Sequence, residues 1–158
     1  MKKIIAAGLA ALAMLASVGV LTAHHSLAQF DLSAPLHVKG TVVRFELINP
    51  HTLLYVDQKK GDGTVQRWAV AGPSVSQLDR MGVAKDVLKA GDVVEVCGFA
   101  LKREIQSQQA LKTTPNTSGQ ALNGHLLVMP DGKRRFWSDY GQLKQCLNPG
   151  ETKDSVAW

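Results

Sequence analysis

Residues 38–47, Val-Lys-Gly-Thr-Val-Val-Arg-Phe-Glu-Leu, alternate between apolar and polar positions, the period of two that a half-buried strand requires. Asn49-Pro50 interrupts that run, because a proline nitrogen cannot donate to a sheet ladder. Residues 52–57 resume the β-branched pattern, Lys59-Lys60-Gly61-Asp62-Gly63 reads as a hairpin turn, and residues 64–70 read as the returning strand. The period then changes. Val75, Leu78 and Met81 fall at helical spacing and predict a helix over 73–81 stopped by Gly82, with a further helical turn over 83–88. Lys89-Ala90-Gly91-Asp92 is a turn ahead of a strong strand over 93–101. Residues 103–120, rich in Gln, Thr, Ser and Asn, predict a long loop, and 122–129 with 133–138 predict a last hairpin around Pro130-Asp131-Gly132.

Three strands, a helix and then further strands predict a mainly β fold, a small OB-like Greek-key barrel with one short helix over residues 24–138. A β-sandwich accommodates about six strands and a mid-chain helix less well. Residues 139–158 form a C-terminal tail, weakly patterned apart from Leu143 and Cys146.

Ahead of these strands the pattern is different again. Lys2 and Lys3 precede an apolar run from Ile4 to Leu21, and Leu21-Thr22-Ala23 offers a cleavage site, so residues 1–23 read as a secretory signal. Two other readings stay open: a cut after Ala28, which removes His24 and His25, and an uncleaved anchor, which the abundance of Ala and Gly argues against. Of the 158 residues, 135 remain after Ala23. Lys2 and Lys3 leave with the signal, so 16 of the 18 basic side chains stand against 13 acidic ones, a formal charge of +3. A charge that small demands neither nucleic acid nor an anionic surface as partner, and no later segment is apolar for long enough to insert stably in a membrane. The protein is expected to be periplasmic or secreted. In that setting Cys97 and Cys146 are most simply a disulfide that pins the tail; a two-thiolate metal site lacks the short C-x-x-C spacing.

The candidate chemistry begins at the predicted mature start, His24-His25-Ser26. A free α-amine and an imidazole on one residue chelate together, and His51, held at the Asn49-Pro50 bend, offers a third nitrogen. Three such donors suit Cu(II), and imidazole also suits zinc, so His24, His25 and His51 are the candidate metal ligands, in the chemical manner of a histidine brace. The plainer reading is a solvated N-terminus and a strand-corner histidine. Asn49 and Trp68 are candidate binding residues, Trp68 equally a core aromatic. His37 and His125 read as surface or half-buried strand histidines, with His125 in reserve. Lys133-Arg134-Arg135 with Phe136-Trp137 offers an anion-binding or base- or sugar-stacking strand, and more simply a solvated edge. Asp57, Asp62 and Asp92 lie in or next to turns, where carboxylates serve local hydrogen bonds. No G-x-S-x-G, Walker loop, H-E-x-x-H or dinucleotide fingerprint is present, so no catalytic residue is assigned.

His24-His25-Ser26, Phe30-Asp31, Gly40-Thr41-Val42, Asn49-Pro50-His51, Trp68 and the run from Gly91 through Asp92, Val93, Val94, Glu95 and Val96 to Cys97-Gly98 together resemble domain of unknown function 6152, a family of small exported bacterial proteins. The resemblance runs from about His24 to Trp137. Leu27 and Leu47 stand where the pattern has aromatics, Gly82-Val83 stands for Gly-Trp, and residues 103–120 and the tail are additions. The resemblance implies an exported small β domain and no established activity. The expectation is therefore an exported binding protein for a small ligand or protein, with copper or zinc as the possible cofactor. A copper-dependent oxidative enzyme and a metal-free interaction module are the alternatives.

Overall fold

The computed structural model describes residues 27–103, 105, 120–138 and 140–158. Six strands are present: β1 (Leu36–Glu46), β2 (Leu53–Lys59), β3 (Val65–Ala71), β4 (Val93–Ala100), β5 (Ala121–Val128) and β6 (Arg134–Phe136). The first five close a barrel. The N-terminal half of β1 pairs antiparallel with β4 and its C-terminal half with β2, the change of partner coming at Thr41. An irregularity between Val42 and Arg44 bends the strand there. Gly40 permits the crossing: a Cβ would run into the Asp57 carbonyl on β2. The β2–β3 hairpin turns through Gly63 at φ 84°, and the end of β3 lies parallel to the start of β5, with Ala69 opposite Ala121 and Ala71 opposite Asn123. Antiparallel pairing of β4 with β5 completes the wall, and β6 is appended to β5. The fold is the mainly β barrel with a short helix that the alternating pattern predicts.

The helix α1 (Val75–Arg80) joins β3 to β4 and covers one end of the barrel. Ser74 and Gln77 form a reciprocal capping box at its start. At its end Gly82 adopts φ 72°, donating to the Asp79 carbonyl while Val83 donates to that of Leu78, a Schellman stop. That stop corrects the further helical turn predicted over 83–88. These residues instead form turns, and Val83 and Leu88 join Leu78 in the core with Val38, Val56 and Trp68.

The tail is less passive than its pattern suggests. A short helix, α2 (Tyr140–Leu143), runs into a 3-10 turn at Lys144–Cys146, and Cys97 and Cys146 form the expected disulfide. Leu143, Cys146 and Val156 bury themselves against Cys97, Leu126 and Phe136 as a second apolar cluster on the outer face of β4 and β5. Within Lys133-Arg134-Arg135, Lys133 is exposed as expected, but the two arginines engage the tail. Arg134 binds Glu151 and donates to the Cys146 carbonyl at 2.7 Å, while Arg135 donates to the Ala157 carbonyl and lies over the Trp158 ring. Of the predicted 103–120 loop, residues 104 and 106–119 lie outside the described residues.

Candidate functional site

His51 enters β2 from a cis Asn49-Pro50 peptide and is exposed. Its Nδ1 lies 3.1 Å from the Gly72 carbonyl oxygen. A carbonyl can only accept, so the proton belongs on Nδ1 and the lone pair of the neutral ring on Nε2. The bend is stitched to the exit of β3 on both sides of this contact. Thr52 donates to the Pro73 carbonyl through its amide at 3.0 Å and its hydroxyl at 2.9 Å, and Gly72 donates back to the Thr52 carbonyl at 2.9 Å. Thr52 is fully buried, so these bonds are shielded from water and hold the imidazole's base in place.

The other sequence-derived residues fall in different places. His24 and His25 lie outside the described residues. The first described segment, a 3-10 turn at Leu27–Gln29, leads into an antiparallel bridge of Phe30 with Leu101 at the end of β4. Asn49 Oδ1 accepts from the Val75 amide at 3.3 Å, tying the bend to the first turn of α1. Trp68 is 6% exposed in the barrel core, and its Nε1 donates to Gln58 Oε1 at 3.1 Å. His37 is an exposed partner of Glu95 across β1 and β4, at 2.9 Å.

His125 corrects the expectation of a surface or half-buried strand residue: it is fully buried, with Nδ1 2.8 Å from the Ser138 carbonyl and its ring edge-on to Phe99. The cause is a bulge. Leu126 pairs with Cys97 but Gly124 pairs with Gly98, so His125 is the additional residue between them and loses its place in the alternation. Among the described residues no group of three His, Cys, Asp or Glu side chains is arranged to hold a metal ion.

The carboxylates serve structure. Asp62 accepts from the Thr64 hydroxyl and amide, which hold its carboxyl below the usual range, and Asp92 accepts from the Lys89 amide, as turn residues should. Asp57 departs from that expectation. It lies within β2 and forms a two-pronged ion pair with Arg67 on β3, each contact 2.7 Å, and the guanidinium hydrogen bonds keep its carboxyl below the usual range.

Trp137, which the sequence offered as a stacking residue beside Lys133-Arg134-Arg135, is a core residue instead. It is fully buried, with Phe45 at 5.7 Å and Trp158 at 6.2 Å between ring centroids. Two glycines make its slot: a Cβ on Gly72 would stand 2.5 Å from Nε1, and one on Gly124 would stand 3.0 Å from Cδ1. Its indole N–H has no acceptor among the described residues. The signal available was a glycine just after β3 and another inside β5, which mark a close approach only when the partner is known.

A family model matches residues 11–109, and its description is a family of unknown function. The matched range covers β1 to β4 and α1, and stops before β5, β6 and the tail. No curated protein matches the chain.

Proposed function

The chain belongs to the family of unknown function DUF6152, and from its own residues we propose that it is an exported binding protein that holds a transition metal, copper or zinc, through His24, His25 and His51. The observation that carries this reading is the hydrogen bond from His51 Nδ1 to the Gly72 carbonyl. Metal-binding imidazoles are commonly held in this way, with one ring N–H on a carbonyl, which fixes the ring and makes the other nitrogen more basic. The surrounding bonds through Thr52 supply the rigidity a ligand needs.

Export is supported by the charged and apolar start of the chain and by the Cys97–Cys146 disulfide, which persists in oxidising compartments. Among the described residues no helix is long and apolar enough to cross a membrane. With residues 1–23 removed as a signal, His24 contributes its α-amine and its ring, His25 a second imidazole, and His51 the nitrogen oriented by Gly72. The α-amine, neutral when bound, makes Cu(II) the better match of the two metals.

The test uses protein recovered from the export compartment. Intact mass should place the first residue at His24, and Cu(II) titration should saturate at one equivalent. His51→Ala should weaken binding at least tenfold, the scale expected for a directly bound ligand. A single glycine added ahead of His24 should do the same by displacing the amine. Equal affinity in His51→Ala, or a mature start beyond His25, would overturn the proposal.

A further inference from the structure

A second site is built where α1 faces the end of β6. Here a cavity of about 450 Å³ has Phe136 and Trp137 as its buried floor, Pro73 and Met81 as further apolar wall, and Gln77, Arg80 and Ser138 as its polar lining. That volume lies within the range of small-molecule sites, which combine apolar walls with a few placed polar groups.

The polar groups differ in what they have left to offer. Gln77 Oε1 is taken by the Ser74 amide at 2.8 Å, and the Ser138 hydroxyl donates to the Gly124 carbonyl at 2.8 Å. Arg80 is exposed and engages neither a carboxylate nor any other acceptor among the described residues. Among the described residues no carboxylate lines the cavity. A guanidinium beside apolar lining favours a planar anion carried on an apolar body, because its fork matches the two oxygens of a carboxylate.

We propose that this cavity binds a small amphipathic monocarboxylate, its chain or ring against Met81, Phe136 and Trp137 and its carboxylate on Arg80. The site does not depend on the metal reading, since none of its residues is a proposed metal ligand. Phe136, Trp137 and Ser138 lie beyond the range matched by the family model, so three of the seven lining residues come from the part of this chain outside that match.

The experiment is a titration of the disulfide-bonded protein followed by amide NMR, with octanoate as the probe, 1-octanol as its neutral counterpart and inorganic phosphate as the bare anion. Octanoate should shift the amides of residues 77–81 and 136–138 saturably. Octanol should bind at least tenfold more weakly, and phosphate should not saturate. Arg80→Gln should weaken octanoate about tenfold and leave octanol unchanged, the spectrum itself reporting that the variant is folded. Equal affinity for octanoate and octanol, an Arg80→Gln variant that binds as the parent does, or shifts centred on another part of the barrel would each overturn the assignment.

Discussion

Breaking the Cys97–Cys146 bond should remove about 4 kcal/mol of stability, most of it through the unfolded chain. The two residues are 49 apart in sequence, so the bond closes a long loop and takes a correspondingly large entropy from the denatured ensemble. Set against the 5–15 kcal/mol that typically stabilises a domain, that loss is large. Both cysteines are buried, at 1% and 3% exposure, among Leu126, Phe136, Leu143 and Val156. Reduction leaves the sulfurs in that cluster, whereas Cys97→Ala with Cys146→Ala also deletes them, at about 0.8 kcal/mol each if a buried sulfur is worth a methylene. Urea unfolding of the oxidised, reduced and doubly substituted proteins separates the two contributions. The reduced protein should lose about 4 kcal/mol and the double variant about 1.6 kcal/mol more. Both should also show a steeper denaturant dependence, because a chain freed of its cross-link exposes more surface when unfolded. A reduced protein within about 1 kcal/mol of the oxidised one, with the same slope, would refute the loop-closure reasoning.

Two further predictions test the wall of the barrel. Gly72→Ala places a methyl 2.5 Å from Trp137 Nε1 and 2.7 Å from Thr52 Oγ1, and should destabilise the fold by about 2 kcal/mol, with altered tryptophan fluorescence; an unchanged melting curve would show that the slot is loose. Asp57→Asn should cost about 1 kcal/mol at neutral pH, read by chemical denaturation, because it removes a well-aligned cross-strand ion pair. The folded carboxyl titrates below its unfolded value, so this contribution is complete above the ordinary carboxylate pKa of 3.8 and disappears as the pH falls through the lowered one. A parent-to-variant difference that stays constant down to pH 2 would assign the effect to something other than the pair.

The barrel was legible because its strands bury one face and show it in their alternation, and α1 was legible because Leu78 and Gly82 sit where a short capped helix needs them. What escaped has physical causes. Gly124, His125, Leu126 and Leu127 are buried in succession, and the bulge responsible depends on register with β4, which lies almost thirty residues away in the chain. The tail buries Leu143, Cys146 and Val156 through separate turns, so no period connects them. Arg134 and Arg135 looked solvent-bound because their partners, Glu151 and the carbonyls of Cys146 and Ala157, belong to that unpatterned tail. At the site, the prominence of the Asn49-Pro50-His51 bend was plain from the sequence. The roles within it were not: Asn49 anchors a helix, and the carbonyl that orients His51 comes from Gly72, a residue whose side chain says nothing.

The parallel seam between β3 and β5 also sets an order of assembly. Strands β1 to β4 can pair among themselves as soon as residue 100 is available, but Ala69 finds its partner only when Ala121 arrives. Until then the end of β3 is an open edge with unpaired backbone groups, a template for another chain. Closure therefore comes only with the last strand of the barrel, and non-local pairing of this kind slows folding. A chain interrupted before β5 would hold every residue matched by the family model and still expose that edge. Such fragments should aggregate where the full chain does not.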